Sequence, residues 1–365
     1  MNYIIFGGTF DPVHNGHLRI ASFAAHKYDA VVIFVPNKSP RWKEPLIDIK
    51  YRLDMLKIAL KKADFRYEIS DYEINKGDDI NYTIDTIKHF KNVYPNDNLY
   101  LLIGADQVNR FHDWKDMDEL AKLSKIIFSN RPGFELDKNN IKKFEMESLE
   151  FDESGDISSS DIRNLKSLDL DEEVMNYIED NKLYYIARIT EYVAPQRLSH
   201  SIQVARLAYK IAKVNNLDRP DRFYIAAILH DVGKSSKCDG EDAVEFMKKH
   251  FPEYLELPRF AYHQFIGEYI SENDFKINDK EILDAIEFHC TGKANMNQIG
   301  MVVYASDKIE PTRSFDSTWL INSCLANWYQ GFVDTLVDNK KYLLGHKKDI
   351  TNKLTDECFK QYIGD

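Results

Sequence analysis

The segment from Gly7 to His17 constrains the fold of this chain more than any other part of the sequence. It reads Gly-Gly-Thr-Phe-Asp-Pro-Val-His-Asn-Gly-His, follows a short apolar run and precedes a helical pattern that begins near Leu18. A strand, a glycine turn and a helix N-terminus together form an anion site, because glycine allows close backbone approach and the free N–H groups favour negative charge. The segment matches neither GxGxxG nor GxxxxGK[ST], which excludes the dinucleotide fingerprint and the Walker A loop.

Two histidines, His14 and His17, lie at the end of this segment. On an opening helical turn, residues three apart point to the same side. The whole segment resembles the nucleotidylyltransferase signature, with His14-Asn15-Gly16-His17 as its HxGH element. The resemblance implies that the two imidazoles and the turn hold the ATP phosphates while a nucleophilic oxygen attacks the α-phosphorus. For Gly7-Gly8 taken alone, a tight turn without a function is the alternative.

Length and charge narrow the classes of protein. A chain of 365 residues can form two domains, each with its own core, and we expect them at residues 1–186 and 187–365. The net charge of −11 argues against a general nucleic-acid surface. Four cysteines without a CxxC pair indicate a reducing compartment and no cysteine zinc site. Without a signal-peptide pattern or an apolar run that could span a membrane, we expect a cytoplasmic protein with no membrane partner.

The first half alternates between two patterns. Short β-branched runs separate stretches of helical periodicity, which predicts a Rossmann-like, doubly wound parallel sheet covered by helices on both faces. The predicted strands are Tyr3–Phe6, Ala30–Val35, Arg66–Ser70, Asn98–Ile103 and Lys125–Ser129. The predicted helices are Leu18–Tyr28, Ile49–Ala63, Thr83–Val93 and Asp116–Leu123. Ligands of such sheets bind beyond the carboxyl ends of the strands, where Gly7–His17 lies.

Further strings in the first half resemble one branch of the superfamily, the nicotinate mononucleotide adenylyltransferases. They are Pro36-Asn37 with Lys43, Arg52-Leu53 with Met55-Leu56, Asn81 to Thr86, Ile103 to Asp106 with Phe111 and Trp114, Arg131-Pro132-Gly133, and Ile157 to Arg163. The last string resembles the family's ISSTxIR element, and a serine N-cap with an arginine in the first turns favours a second phosphate site. The likeness extends through Leu183-Tyr184. It implies the fold and activity of that family for nearly all of residues 1–186.

The resemblance also implies roles for individual residues. The residues expected to act on phosphates are His14, His17, Lys43 and Arg163, and those expected to form the cradle or contact ATP or substrate are Gly7, Gly8, Thr9, Phe10, Gly104, Asp106, Arg131, Ser158 and Ser159. Thr83 and Trp114 are expected to hold the nicotinate ring by hydrogen bonding and stacking. Adenylyl transfer needs positioning and charge stabilisation, with Mg²⁺ on the leaving pyrophosphate. Core packing for Trp114 and a helix cap for Asp106 are the alternatives.

The second half reads as entirely helical. The predicted helices are Ser199–Asn215, Arg222–His230, Asp242–Lys249, Gln264–Asn273, Lys280–His289 and Ile299–Ile309. Imidazoles and carboxylates recur along them, at His200, His230, Asp231, His263, His289 and Asp307. This donor set suits first-row divalent metals and is large enough for two metals that share a carboxylate. A two-metal site activates water and binds a phosphoanhydride oxygen.

The order and spacing of these six residues resemble the HD phosphohydrolase superfamily and, more narrowly, the YqeK-type bis(5′-nucleosyl)-tetraphosphatases. The matching strings are Arg197 with His200-Ser201, Leu229-His230-Asp231 with Lys234, His263 with Gly267, His289 to Gly292, and Tyr304 to Arg313. The narrower family commonly has an aromatic residue and an alanine where this chain has Val232 and Gly233.

The resemblance implies an all-helical HD domain that cleaves diadenosine tetraphosphate into two ADP with one or two divalent metals: iron, manganese, zinc or cobalt. Asp231 is expected to bridge the metals, and the ligand sets are His200, His230 and Asp307 for one metal and His263 and His289 for the other. Lys234 and Arg313 are candidates for the substrate phosphates.

The sequence thus predicts a bifunctional enzyme that makes nicotinate adenine dinucleotide from ATP and nicotinate mononucleotide, and hydrolyses diadenosine tetraphosphate. Three alternatives stay open at this point. The first domain could adenylylate nicotinamide mononucleotide or phosphopantetheine. The helical domain could be a different nucleotide phosphohydrolase, or a nucleotide-sensing module without turnover. The histidine cluster could be core packing. The number of chains in the assembly is left open.

Overall fold

A computed structural model describes residues 1–37, 46–76, 81–129, 135–150, 157–234, 240–345 and 352–364. The chain divides into two compact units. The first comprises Met1–Arg163 and Asp169–Asn181, and the second comprises Asn164–Leu168 and Lys182–Asp365. The division begins ahead of the boundary expected at residues 186 and 187. Among the described helices, none is both long and apolar enough to cross a membrane.

The first unit is built around a parallel sheet of six strands. They are β1 (Asn2–Gly8), β2 (Ala30–Pro36), β3 (Tyr67–Ile69), β4 (Asn98–Gly104), β5 (Lys125–Ser129) and β6 (Glu147–Leu149). Their order in the sheet is β3-β2-β1-β4-β5-β6, and every neighbouring pair is parallel. Consecutive residues Ile4 and Ile5 are both buried, which shows that both faces of the central strand are covered.

Nine helices are described in the first unit, and a tenth follows it in the chain. They are α1 (Asn15–Tyr28), α2 (Ile49–Leu60), α3 (Tyr72–Asn75), α4 (Thr83–Val93), α5 (Ala105–Asn109), α6 (Met117–Leu123), α7 (Lys138–Lys143), α8 (Ser159–Arg163), α9 (Glu172–Asp180) and α10 (Tyr185–Ile189), of which α10 belongs to the second unit. One face of the sheet packs with α4 and α6 into a core that includes Ile33, Leu101, Ile87 and Leu120.

The order of the strands determines where a ligand can bind. The chain moves outward from β1 through β2 to β3, and then continues on the other side of β1 with β4. The helices after β1 and β4 therefore leave towards opposite faces and open a crevice at the carboxyl ends of these two strands. Gly8 and Gly104 end the two strands. The glycine segment therefore lies at the switch point of the sheet.

The described part of the second unit contains helices and no strand. After α10 they are α11 (Pro195–Val214), α12 (Pro220–Leu229), α13 (Gly240–His250), α14 (Tyr262–Asn273), α15 (Lys280–Glu287), α16 (Gln298–Ile309), α17 (Thr318–Ala326), α18 (Trp328–Gly345) and α19 (Lys353–Ile363), with 3₁₀ turns at Pro252–Tyr254 and Arg259–Ala261. Helix α11 packs against α12 and α16, and α14 packs against α15. The predicted fold class, a Rossmann-like sheet followed by a helical domain, is confirmed.

Several short elements and the terminal helices differ from the sequence prediction. Strand β6 has three residues and was not predicted, and it pairs with the edge strand β5. Helices α17 to α19 were not predicted. Helices α18 and α19 bury Phe332, Leu336 and Phe359 in a cluster with Met301 and Tyr304 of α16, so their apolar face is defined by a partner distant in sequence.

A glycine allows helices α17 and α18 to pack closely against each other. A Cβ on Gly331 would lie 2.3 Å from Cα of Cys324, whereas one on Gly345 would meet no described atom within 4 Å. Alanine is favoured over glycine in helices by about 1 kcal/mol, but overpacking costs about 1–3 kcal/mol. We expect Gly331→Ala to lower the urea midpoint of unfolding, followed by far-UV circular dichroism. Gly345→Ala should leave the midpoint unchanged or raise it; equal effects of the two changes would contradict the close packing.

Candidate active sites

The two histidines of the glycine segment form one structural unit at the start of α1. His14 is the N-cap residue, and its backbone N–H donates to Nδ1 of His17 over 3.2 Å. The two imidazole rings lie 3.7 Å apart, inclined by 36°. The edge of Phe10 contacts the His17 ring, with 5.2 Å between centroids. The imidazoles are therefore held together beside the positive end of the helix dipole.

The two glycines serve different purposes. A Cβ on Gly8 would lie 2.9 Å from Cζ of Phe10, so this position must be small for the buried Phe10 ring to fold back under the strand. A Cβ on Gly7 would meet no described atom within 4 Å, and the residue is exposed. The space over Gly7 is thus open to a ligand. Phe10 itself is buried, and its side chain supports His17 rather than facing the crevice.

Arg52 on α2 holds the loops after β1 and β2 together. Arg52 is 1% exposed, and its guanidinium donates to the carbonyl oxygens of Thr9 at 2.6 Å and Asn37 at 2.8 Å. Arg52 belongs to one of the strings that carry the family resemblance, but no role was predicted for it from the sequence. A signal was present, because Arg52 occupies the buried stripe of α2 with Met55, Leu56 and Ala59. A charged residue on such a stripe indicates a buried polar partner.

The predicted second phosphate helix, α8, packs onto the same loop. Ser159 Oγ donates to the carbonyl of Pro12 at 2.8 Å, and the buried guanidinium of Arg163 donates to the carbonyl of Asp11. Ser158 caps the helix by exchanging hydrogen bonds with Asp161. Ser159 and Arg163 therefore contact the Gly7–His17 loop directly.

The remaining described candidates of the first unit are Thr83, Gly104 and Asp106 at helix starts and Trp114 at the end of a 3₁₀ turn. Thr83 is the first residue of α4. Gly104 caps α5, and a Cβ there would lie 2.6 Å from Oδ1 of the exposed Asp106. Trp114 is half-buried against Phe111, with 5.2 Å between ring centroids. Lys43 and Arg131 lie outside the described residues.

In the second unit, three imidazoles converge on one carboxylate oxygen. The Nε2 atoms of His230, His263 and His289 lie 3.6, 3.5 and 3.6 Å from Oδ1 of Asp231. His230 and Asp231 directly follow α12, His263 is on α14 and His289 follows α15. The packing of these helices thus brings together residues that are far apart in the sequence.

Backbone hydrogen bonds fix the orientation of these imidazoles. Nδ1 of each histidine donates to the carbonyl three residues earlier, over 2.6 Å for His230, 2.7 Å for His263 and 2.7 Å for His289. A carbonyl can only accept, so the Nδ1 atoms carry the protons and the Nε2 atoms of neutral rings present lone pairs. The Nε2 atoms of His263 and His289 lie 3.1 Å apart. Two lone pairs at that separation repel unless a cation lies between them.

The charges around the site favour such a cation. Burial, followed by the neighbouring imidazole, lowers the pKa of His263, and burial lowers that of His289, so both rings are neutral at pH 7. Burial opposes ionisation of Asp231, but His230 and Lys234 hold the pKa of its carboxyl well below the ordinary value. Burial also opposes charge on His230, yet Asp231 and Asp307 raise the pKa of its ring. The field that attracts a proton to Nε2 of His230 attracts a metal ion equally.

His200 completes the cluster between two carboxylates. Its Nε2 lies 3.1 Å from Oδ1 of Asp307, and its Nδ1 lies 3.1 Å from Oε1 of the buried Glu310. A ligand histidine whose other ring nitrogen contacts a carboxylate is the usual outer arrangement of metal sites. No role was predicted for Glu310 from the sequence, although a carboxylate three residues after Asp307 at a helix end lies on the same side.

The residues present fit a divalent metal. Two overlapping groups, His200-His230-Asp307 and His230-Asp231-His289, each place their ligand atoms within 4.8 Å of one another. Nε2 of His230, common to both groups, is buried without a hydrogen-bond partner among the described residues. Such an atom is costly to bury unless a cation satisfies it. The second unit therefore provides a divalent-metal site.

Gly233 is explained by the packing of the metal-ligand helices. A Cβ there would lie 2.0 Å from the carbonyl oxygen of His263 and 2.5 Å from the backbone nitrogen of Gly267. The loop after Asp231 therefore runs directly against the start of α14. Only glycine leaves enough room, which gives a physical reason for glycine at position 233.

Four cationic side chains surround the acidic ligands. Arg197 and Lys234 bind Asp231 at 2.9 and 2.8 Å, and Lys308 and Arg313 bind Asp307 at 2.8 and 2.8 Å. They line a cavity of about 1120 Å³ that also exposes metal-ligand residues of both groups. This cavity can bind a large polyanion over the metal site.

Comparison with known proteins agrees with the two-unit architecture. A family model described as "Cytidylyltransferase-like" matches residues 5–165, and one described as "HD domain" matches residues 197–312. The chain is 30% identical over 359 residues, 95% of its length, to 99% of a Mycoplasma genitalium protein named "Probable nicotinate-nucleotide adenylyltransferase/Ap4A hydrolase". A Mycoplasma pneumoniae protein of the same name is 28% identical, with 85% of this chain and 89% of that protein covered. A Clostridium tetani protein named "Probable nicotinate-nucleotide adenylyltransferase" is 38% identical, with 49% and 97% covered.

Glu310 is expected to position His200 for metal binding. Glu310→Gln keeps an acceptor for the Thr312 backbone but removes the charge beside the imidazole. Loss of such a partner weakens metal affinity about 10- to 100-fold. Competition for Mn²⁺ against a chelating dye measures the change. The matched control is Glu245→Gln, on an exposed face of α13, and an unchanged Mn²⁺ affinity in Glu310→Gln would contradict the positioning role.

Proposed function

Because the chain belongs to the family of two-domain enzymes called nicotinate-nucleotide adenylyltransferase/Ap4A hydrolase, we propose that it carries out both reactions in that name. The first unit transfers the adenylyl group of ATP to nicotinate mononucleotide, and the second hydrolyses diadenosine tetraphosphate to two ADP. The observation that carries the proposal is the presence, in separate units, of an imidazole pair at a helix N-terminus and a convergent set of metal-binding imidazoles.

In the first unit, a phosphate oxygen of nicotinate mononucleotide attacks the α-phosphorus of ATP. The new P–O bond forms as the bond to the bridging oxygen of the β-phosphate breaks, and pyrophosphate leaves. A phosphate oxygen is already anionic, so no general base is required. His14, His17 and the start of α1 stabilise the charge that moves onto the pyrophosphate, and the open space over Gly7 admits the phosphates. When bound with ATP, Mg²⁺ supplies further positive charge to the leaving group.

The other residues of the first unit take supporting or binding roles in this proposal. Arg52, Ser159 and Arg163 hold the loop carbonyls of Thr9, Pro12 and Asp11, which fixes the shape of the loop. Arg163 is thereby a positioning residue. Thr83 and Trp114 hold the nicotinate ring, and Gly104 and Asp106 line the crevice after β4. Lys43 and Arg131 are proposed to contact phosphates.

In the second unit, the three Nε2 atoms, His200 and the two aspartates hold one or two divalent metals of the group iron, manganese, zinc and cobalt. When bound, these ions supply Lewis acidity towards water and a phosphoanhydride oxygen. Arg197, Lys234, Lys308 and Arg313 place positive charge around the phosphate chain. Hydrolysis breaks the bond between the bridging oxygen and a central phosphorus, and water provides the oxygen and protons of the two ADP products.

The two activities are expected to be separable by substitution. His17→Ala should lower formation of nicotinate adenine dinucleotide about 100-fold or more, because it removes a donor to the transition-state charge. The hydrolysis of diadenosine tetraphosphate should stay unchanged. The matched control is His26→Ala, in the last turn of the same helix. Chromatography of the nucleotide products measures both reactions.

The reciprocal change is Asp231→Ala. It removes the oxygen on which three imidazoles converge and should abolish metal-dependent hydrolysis while adenylyl transfer continues. His250→Ala, in the same unit but outside both ligand groups, is the control. Loss of both activities in either His17→Ala or Asp231→Ala, with circular dichroism unchanged, would contradict separate sites.

Thr83→Val tests the choice of acceptor. It keeps the shape of the side chain but removes the hydroxyl proposed to bind the nicotinate carboxylate. A hydrogen bond to a charged group contributes about 1.5–3 kcal/mol, so we expect KM for nicotinate mononucleotide to rise about tenfold or more. KM for ATP should not change. Faster turnover of nicotinamide mononucleotide or phosphopantetheine by the unmodified protein would instead favour one of those acceptors.

A further inference from the structure

The cavity over the metal-binding cluster carries two exposed phenylalanine rings that the reaction does not use. Tyr342 also lines the cavity and is exposed, but it already makes an interaction within the protein. Phe260 is 60% exposed and Phe315 is 47% exposed, and both line the cavity. Neither ring stacks on another aromatic side chain in the part of the chain that the structure describes. Large exposed apolar side chains in a concave polar site indicate contact with an apolar part of a ligand.

The two phenylalanines are neighbours of different metal ligands. The backbone carbonyl of Phe260 accepts the Nδ1–H of His263, whose Nε2 contacts His289 at 3.1 Å. Phe315 lies two residues after Arg313, which binds Oδ1 of Asp307 at 2.8 Å. Asp307 in turn contacts His200. Phe260 therefore belongs to a segment that holds His263, and Phe315 to a segment that binds Asp307.

The cavity also carries positive charge, from four cationic side chains. The four cationic side chains bind the two aspartate ligands and line the same cavity as the two phenylalanine rings. A ligand that uses both rings and the cations has a nucleobase at each end and a chain of phosphates in the middle. A mononucleotide would use only one ring.

We propose that Phe260 and Phe315 are two nucleobase platforms that bind the opposite ends of a dinucleoside polyphosphate and centre its phosphate chain on the metal cluster. This assignment deepens the proposed hydrolase activity and rests on it. It gives a physical reason for symmetrical cleavage, because two equivalent base contacts place the middle of the chain, rather than either end, over the metals. The rings recognise bases by stacking, which tolerates different bases.

The test uses the 365-residue chain loaded with Mn²⁺ and six variants: Phe260→Ala, Phe315→Ala, the double alanine variant, Phe260→Trp, Phe315→Trp and the control Tyr329→Ala. Tyr329 is an exposed aromatic residue of the same unit that does not line the cavity. Three ligands are titrated by calorimetry. The first is the diadenosine tetraphosphate analogue with a methylene group between the two central phosphorus atoms, the second is adenosine 5′-tetraphosphate and the third is inorganic tripolyphosphate.

Each single alanine variant should raise Kd for the dinucleoside analogue about tenfold or more, within the range that base–aromatic stacking supplies. The affinity for adenosine tetraphosphate should fall no more than about threefold in a single alanine variant, since its one base can use the other ring. In the double variant, its affinity should fall as much as that of the dinucleoside analogue does in a single alanine variant. Tripolyphosphate should bind equally to all variants. Phe260→Trp and Phe315→Trp should restore affinity for the analogue.

Two results would overturn the platforms. One is unchanged affinity for the dinucleoside analogue in either single alanine variant. The other is an equal loss for tripolyphosphate, which would show that the substitution damaged the metal site. Failure of the proposed function has a different signature: the unmodified protein would bind the analogue and leave diadenosine tetraphosphate intact. Binding and turnover therefore report on the two claims separately.

Discussion

Three buried imidazoles whose Nδ1–H groups are committed to backbone carbonyls determine the character of the helical unit. Once those protons are committed, the Nε2 lone pairs have to face positive charge. They converge on Asp231, which cannot satisfy them because a carboxylate also only accepts. Divalent metal is the species that satisfies the lone pairs and the carboxylate together. The close backbone contact at Gly233 and the cations around Asp231 and Asp307 follow from this arrangement.

In the sheet unit, the negative charge belongs to the proposed ligands and not to the protein. The protein provides N–H groups, a helix dipole and two imidazoles that stabilise that charge. The loop that presents these groups is held through its carbonyls by the buried Arg52 and Arg163 and by Ser159. A carbonyl oxygen that accepts a hydrogen bond from α2 or α8 cannot turn towards the phosphates, where it would repel them. The shape of the loop thus depends on residues that do not face the crevice.

The elements with strong periodicity could be predicted from the sequence, and those without it could not. Helix α4 was predicted with its observed bounds, Thr83–Val93, because its apolar positions recur regularly. Strand β6 was not predicted, because its three residues form a strand by pairing with β5, a contact that the local pattern does not show. Arg52 and Glu310 received no role because each acts on a partner distant in sequence: a loop carbonyl for Arg52 and the His200 ring for Glu310.

The sequence by itself determined the chemical types: a glycine segment with two histidines before a helix, and six histidine and aspartate residues in a fixed order. It also determined the division into a sheet and a helical part, because hydrophobic periodicity is a local property. Only the tertiary structure decided which lone pairs face one another, which arginines are buried behind the loop, and that Phe260 and Phe315 share a cavity with the metal cluster. The reason is physical: hydrogen-bond direction, burial and the field at a buried atom depend on neighbours brought together by folding, and a linear order of residues does not specify their distances.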